Sequence, residues 1–598
     1  MAKQRNMGGG SFERPTQKTS YIIKRLWKYL SPYKWLLALA AALSIGGNAL
    51  ALIGPKLSGF AIDAIEAVGG VDFAGVFKYA GLMIAFYAAS SVISYILANL
   101  MIRLSRKAVY SMRRDAFNTL ASLPVSFFDT HQTGDVISVI SYDIDTINSS
   151  LSSDLVQMIA SVITVCGSFV MMLSISPHLI LVFVVTIPIS VLFTRFRSKR
   201  VRPLYRRRSK KLGELNGFIE EITSGLKTTK AYSREQVFID RFDVKNDEAV
   251  EANYEADHFS CITGPTVTFI NNLSLALISI FGALMYMAGG ITLGNISSFV
   301  LYSRKFSGPI NEFANIISDL QSALAAAERV LRLIDEKGEP ADRPNAAVLG
   351  ADAPVRGDVR LDGVSFGYSE GQTVLNNVTF NAERGRVIAI VGPTGCGKTT
   401  IINLLMRFYD ATTGEIRVDG SEVRDITRSS LRGAYTMVLQ DTWLFHGTVF
   451  DNIAYGKKDV TREDVERAAK AARIHGYIMS LPDGYDTVLS DNGVNISKGQ
   501  KQLLTIARAM LLDSPMLILD EATSNVDTQT ERSIQDAMLK LMNGRTCFVI
   551  AHRLSTIRHA DNIIVLSDGR IVEHGRHDEL LAKRGAYYTM YHAQFEGV

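Results

Sequence analysis

Cysteine is scarce: Cys166, Cys261, Cys396 and Cys547 are the only four in 598 residues. They stand far apart without paired or metal-ligand spacing, which argues against a disulfide framework and a zinc site and leaves four reduced thiols. A secretory signal is missing too. The first long apolar run follows a charged segment and precedes no small-residue cleavage pattern. Charge is also thin, at 21% of residues against 47% hydrophobic, with a net excess of only +5. The basic residues crowd beside apolar runs, as in RFRSKRVRPLYRRRSKK over 195–211. That placement fits contact with the inner leaflet of a membrane better than binding of nucleic acid.

What is present divides into two halves. A chain of this length implies at least two domains; apolar runs fill the first half, and alternating polar and apolar patterns the second. Tyr21, Ile22, Ile23, Leu26, Trp27 and Leu30 share one face of a helix whose other face carries Lys24, Arg25 and Lys28. Such a helix lies on a membrane surface, or alternatively packs as an ordinary amphipathic helix on protein. A span needs about 20 apolar residues, and 35–53, 79–102, 155–175, 179–193 and 267–288 supply five. A sixth, 296–320, carries Arg304, Lys305, Glu312 and Asp319, and hydropathy alone would reject it, since one central charge costs about 2.5–3.5 kcal/mol. Parity argues for it. Lysine and arginine follow the second and fourth spans and are nearly absent after the first, third and fifth, so the N-terminus is expected on the cytoplasmic side; the nucleotide motifs described next must lie there as well, which requires an even number of crossings. The sixth span then faces a water-filled or protein interior, unless its charges merely sit at the cytoplasmic end. The long connections after spans two and four should extend into the cytosol, each with a break, over 123–138 and 223–238, suited to a short transverse helix.

Beyond residue 335 a proline-, glycine- and alanine-rich stretch reads as a linker, and a soluble domain begins near Asp358. The strand VIAIVG runs into Gly392, Pro393, Thr394, Gly395, Cys396, Gly397, Lys398, Thr399 and Thr400 and then into the apolar helix TIINLLMRF. This is a P-loop in its required strand–loop–helix setting. Its backbone N–H groups would surround phosphates, Lys398 would supply a point charge, and Thr399 could ligate Mg²⁺. Farther on, MLILDEATS gives a buried strand ending in Asp520 and Glu521. The first acid could hold Mg²⁺, and the second could orient and deprotonate an attacking water.

With these motifs in order, the chain resembles the ATP-binding cassette transporters, specifically the bacterial exporters that fuse six spans to one nucleotide-binding domain. The resemblance covers essentially the whole length. It implies an α-helical six-span transmembrane domain with long cytoplasmic extensions and two coupling helices (35–334), preceded by a tail and elbow helix (1–34). A linker (335–357) and an α/β P-loop nucleotide-binding domain (358–598) follow. It also implies that Tyr368 stacks on adenine, Gln440 contacts Mg²⁺ and water, His552 meets the γ-phosphate, and Asp527 is the aspartate of the D-loop. ATP and Mg²⁺ are the implied cofactors. The absence of a peptidase domain before residue 35 counts against exporters that process leader peptides.

One motif departs from the family. Ile496, Ser497, Lys498, Gly499 and Gln500 read like an LSGGQ signature with its central glycine replaced. In this family two nucleotide-binding domains close head to tail, so the signature of one chain meets the ATP held by the other. A lysine there adds a bulky cation where close approach favours glycine, or else it points to solvent and changes little. Its own P-loop, Walker B acids and histidine being complete, the chain resembles one half of a heterodimeric exporter with one degenerate site. The resemblance suggests ATP-driven export of amphiphilic small molecules across the cytoplasmic membrane; a lipid or lipid-linked glycan flippase and an ATP-gated channel or regulatory subunit are the alternatives.

Overall fold

The computed structural model describes residues 18–66, 70–369, 371–440, 442–489, 496–520, 527–550 and 557–595. They form two compact units, one of residues up to 121 with 131–336, the other of 122–130 with 337 onward.

The first unit is helical throughout. Helix α1 (Thr19–Leu30) buries Ile22 and Leu30 and leaves Tyr21, Ile23 and Trp27 exposed on its apolar side. Then come α2 (Lys34–Ile65), α3 (Phe73–Ser122) and, after α4 (Val125–Thr130), which belongs to the second unit, α5 (Thr133–Ser138), α6 (Ile144–Ser149) and α7 (Leu155–Ile175). π-helical turns at Val139–Asp143 and Ser150–Asp154 join α5, α6 and α7 into one continuous rod. After them run α8 (Pro177–Ser224), α9 (Leu226–Ala231), α10 (Glu235–Cys261), α11 (Thr263–Met287) and α12 (Leu293–Ile334). Among the described residues, five stretches are apolar and long enough to cross a bilayer, and α12 is not one of them. At 1.5 Å per residue, the 50 residues of α3 and the 48 of α8 far exceed a hydrocarbon core of about 30 Å. Their polar halves must extend into water.

Helix α12 is held against α2 by a ladder of unusual composition. Ser298, Tyr302 and Lys305, at helical spacing on one face, donate to the backbone carbonyls of Pro55 (2.9 Å), Leu52 (2.5 Å) and Ala51 (3.0 Å). Proline explains one rung. Pro55 has no N–H for the carbonyl four residues earlier, so Ala51 O is released from the helix ladder, and the Lys305 ammonium takes it. Where the two helices come closest, a Cβ on Gly294 would lie 2.0 Å from the carbonyl oxygen of Gly59, a small-residue contact typical of membrane helices. Asp63 completes the junction by accepting from Thr292 Oγ1 and Gly294 N. Lys305 thus faces a protein interior, while Arg304, Glu312 and Asp319 are exposed, with Glu312 accepting from Gln157 of α7 at 3.2 Å.

The second unit is α/β. Strands β1 (Val359–Phe366), β2 (Leu375–Ala382), β3 (Val387–Val391), β4 (Thr413–Val418), β5 (Ser421–Glu422) and β6 (Tyr435–Val438) precede β7 (Gly447–Thr448) and β8 (Val488–Leu489), which pair with each other. Then β9 (Met516–Asp520), β10 (Thr546–Ile550), β11 (Asn562–Ser567) and β12 (Arg570–Gly575) close the series. One sheet is antiparallel in the order β2-β1-β4-β5; the other, β12-β11-β3-β10-β9-β6, is parallel except at its β12 edge. The parallel strands are buried on both faces, as sheets covered on both sides must be. Ala389, Val391, Leu517, Leu519, Cys547 and Val549 enter one core, and their neighbours Ile388, Ile390, Met516, Ile518, Phe548 and Ile550 the other. Helices α13 (Lys398–Leu405), α14 (Arg428–Gly433), α15 (Val449–Ala454), α16 (Arg462–Ala471), α17 (His475–Met479), α18 (Lys498–Leu512) and α19 (Thr528–Met542) flank the sheets, and two more, His577–Lys583 and Ala586–Phe595, end the chain. The segment from Lys337 is anchored to this unit: Glu339 pairs with Arg432, Asp342 with Arg428, and Ala347 N donates to Asp425 O.

Candidate active site at the sheet edge

Three neighbouring parallel strands end together. Ile390 of β3, Ile550 of β10 and Asp520 of β9 are in register, so the loop after β3 and the acid ending β9 open on one edge of the sheet. Val438 of β6, paired with Leu519, brings Gln440 to the same edge, where it is exposed. Open α/β sheets bind ligands beyond the carboxyl ends of their strands, and this edge has that geometry.

The loop after β3 needs its glycines. Gly392 has φ 152° and Gly397 has φ 105°. A Cβ on Gly392 would lie 2.3 Å from the carbonyl oxygen of Leu566, and one on Gly397 would lie 2.5 Å from Leu375 Cδ2. Only glycine combines these dihedrals with such close neighbours. The loop leads into the start of α13, where the partial positive charge of a helix N-terminus favours an anion. Lys398 begins α13, and its Nζ donates to the carbonyls of Gly392 (2.8 Å) and Pro393 (3.0 Å). Pro393, Thr394, Gly395 and Thr399 are exposed, whereas Cys396 is buried among the strands, and burial pushes its thiol pKa up. Thr400 is buried as well: its hydroxyl lies 3.1 Å from the Tyr368 hydroxyl, to which Asn403 Nδ2 also donates (3.2 Å). Tyr368, about half exposed, is therefore fastened to the first turns of α13.

A supporting cluster carried no sequence signal. Tyr409 packs edge-on against Phe366 and Tyr368, with ring centroids 5.5 and 5.1 Å away, and its hydroxyl donates to Asp129 of α4. Burial first, and then the Asp129 carboxylate, pushes the Tyr409 pKa well up. Tyr368 is thus two contacts from Asp129 of α4. Tyr409 and Asp129 are 280 positions apart.

The signature-like segment is a capped helix start. Ser497 is the N-cap of α18: its Oγ accepts from Gln500 N (3.2 Å), and Gln500 Oε1 accepts from Ser497 N (2.9 Å). This reciprocal capping box fixes the first turn. Lys498, the first helical residue, is exposed; Gly499 is buried, and Ile496 packs on the domain core. Asp527 caps α19 through Thr530 N (2.9 Å), and that backbone bond holds its carboxyl pKa below the usual range. Glu521 and His552 lie outside the described residues.

Comparison with known proteins adds the family. The model for the ABC transporter transmembrane region matches residues 37–310, and that for the ABC transporter domain matches residues 375–524. The chain belongs to the ABC transporter family. It is 42% identical to an uncharacterized ABC transporter ATP-binding protein, YfiC, of Bacillus subtilis (97% of this chain, 95% of the relative). Identity to a fatty acid ABC transporter ATP-binding/permease protein of Mycobacterium bovis is 39%, over 95% of each chain. In three dimensions it is similar to a bacterial Atm1-family ABC exporter with ATP bound: the TM-score is 0.74 at 29% identity, covering 94% of this chain and 98% of that one. The protein is thus a multi-pass ABC exporter with transmembrane and ATP-binding domains in one chain, and an ATP-hydrolysing transporter.

Proposed function

We propose that this transporter exports amphiphilic small molecules, of the multidrug type, from the cytosol or inner leaflet across the cytoplasmic membrane, with its N-terminus and nucleotide-binding domain on the cytoplasmic side. The observation that carries the ATP-driven part is the register that brings the P-loop, Asp520 and Gln440 to one sheet edge. In this reading the N–H groups of 392–400 and Lys398 hold the phosphates, and Tyr368 stacks on the adenine. Thr399, Gln440 and Asp520 would hold Mg²⁺, which when bound would supply charge neutralisation at the phosphates. Their hydroxyl, amide and carboxylate oxygens are the hard donors that this ion takes. Glu521 takes a proton from the attacking water, and His552 steadies the γ-phosphate end. Nucleotide closes the paired domains, and hydrolysis reopens them; this drives a population shift between inward and outward cavities. The amphiphilic class is supported by the fatty acid transporter among its relatives.

The same reading pairs the chain with a different half-transporter. Lys498 motivates it, because a homodimer would place the altered signature over both ATP molecules. Purification of the chain alone tests this: a stable homodimer with full substrate-stimulated ATPase and transport refutes the heterodimer. For the catalytic assignment, Glu521→Gln in the complete complex should preserve ATP binding and lower turnover at least about 10²-fold, the scale of lost general-base catalysis. Near-normal ATPase at saturating Mg-ATP would remove Glu521 from that role. Substrate-stimulated ATPase in vesicles separates the pump from a channel, which dissipates a gradient without turnover.

A further inference from the structure

The basic run on α8 is two surfaces. At about 100° per residue, Arg197, Arg207, Arg208 and Lys211 fall within an arc of about 100° on one side of the helix. That side faces α10, whose acids neutralise three of the four: Arg207 pairs with Glu255 (2.6 Å), Arg208 with Asp257 (3.1 Å) and Lys211 with Glu248 (2.7 Å), while Arg197 donates to the Phe259 carbonyl. Arg195, Lys199, Arg202 and Arg206 are spaced i, i+4, i+7, i+11 and fall within about 60° on the opposite side. All four are exposed, and none has a carboxylate partner among the described residues. With Ser198 and Pro203 they line a cleft of about 470 Å³.

Depth along the helix says what can meet them. From Pro177, where α8 begins, Arg195 lies about 27 Å along the axis, at the edge of a hydrocarbon core of about 30 Å. Lys199 and Arg202 follow about 6 and 10 Å farther on, through a headgroup layer of about 5–8 Å. Arg206 comes about 6 Å after Arg202, within a Debye length of about 8 Å from that layer. A cleft of four uncompensated cations spanning the headgroup layer is complementary to phosphate. The guanidinium forks of Arg195 and Arg202 suit bidentate bonds to its oxygens.

We propose that this stripe is a binding site for the phosphate headgroup of an anionic phospholipid, at the lipid-water boundary on α8 and separate from the ATP-binding edge. It rests on the cytoplasmic placement of this end of α8 proposed above. Arg207, Arg208 and Lys211 lend little affinity, because each already pairs with a carboxylate of α10.

The test is titration of the detergent-purified transporter with phosphatidylglycerol or phosphatidylcholine, counting bound lipids by native mass spectrometry. Wild type should bind phosphatidylglycerol more tightly. Each basic residue at an anionic surface is worth about fivefold in association, so K199Q/R202Q should weaken the first phosphatidylglycerol site roughly 25-fold and leave phosphatidylcholine unaffected. K540Q/K583Q, an equal charge loss on exposed helices of the ATP-binding domain, should change neither, and K199R/R202K should retain the preference. Equal binding of the two lipids by wild type would overturn the proposal, as would a K199Q/R202Q constant within twofold of wild type or an equal loss in K540Q/K583Q. Lipid counting needs neither transport nor turnover, so failure of the export reading would appear in the vesicle assay and leave this result distinct.

Discussion

Asp143 ends the π-helical turn between α5 and α6, and its carboxylate is only 4% exposed. It accepts two bonds from one guanidinium of α12: Arg329 Nε to Oδ2 at 2.8 Å and Nη2 to Oδ1 at 2.6 Å. Replacing Arg329 with methionine keeps most of the apolar stem and removes the charge and both donors. Breaking a buried pair by deleting one member costs about 3–5 kcal/mol, because the remaining charge stays buried. Arg329 itself is 32% exposed, so water can reach the site, and we expect the lower end, about 3 kcal/mol. At 1.36 kcal/mol per decade, local opening of the turn should become roughly a hundredfold more frequent. Amide hydrogen exchange over 139–149 reads this directly, and it isolates the turn from the irreversible unfolding that complicates melting of a large membrane protein. The double variant Asp143→Leu with Arg329→Met should recover most of the loss, since an apolar pair of similar volume is often neutral or better. Exchange in Arg329→Met within threefold of wild type would refute the reasoning. So would a double variant as labile as the single one, because the cost could then not be a stranded carboxylate.

Gly397→Ala places an L side chain at φ 105° against Leu375, a strain of about 1–2 kcal/mol. If the unbound loop relieves that strain by leaving its phosphate-binding conformation, binding of a fluorescent ATP analogue should weaken about tenfold with little change in the melting of the ATP-binding unit; unchanged affinity would mean the loop tolerates the shift. In the proposed heterodimer Lys498→Gly should shorten nucleotide retention at the partner's P-loop yet raise total ATPase only modestly. Single-turnover release beside steady-state ATPase checks it, and unchanged retention would place the lysine in solvent. Burial lowers the pKa of His577, whose Nδ1 lies 2.7 Å from the Tyr587 hydroxyl. The folded state binds fewer protons than the unfolded one below pH 6.5, so the His577 contribution to stability is present above about 6.5 and is lost as pH falls through the folded-state value. His577→Gln should flatten that slope in melts between pH 5 and 7.5.

The parts legible in the sequence are those whose physics is local. A phosphate cradle is made of backbone N–H groups, and the conformations that aim them demand glycine at fixed offsets, so Gly392 and Gly397 declare themselves. The same holds for the strand before them, buried on both faces. The long-range contacts were illegible because one partner in each leaves no mark on residue type. Tyr409 and Asp129 are an ordinary aromatic and an ordinary helix-end acid until the fold joins them. Counting crossings points the sixth span toward an interior without singling out Lys305, whose acceptor is a carbonyl 254 positions away, a group every residue owns. Even so, the sequence held a clue in Pro55. A proline inside an apolar span releases the carbonyl four residues earlier, and in a bilayer that oxygen must find a donor. A lysine in another span, with no acid within one helical turn of it, needs an acceptor for the same reason. Each unexplained residue therefore answers the other, and pairing them predicts the α2–α12 contact that hydropathy, which would discard the sixth span, cannot.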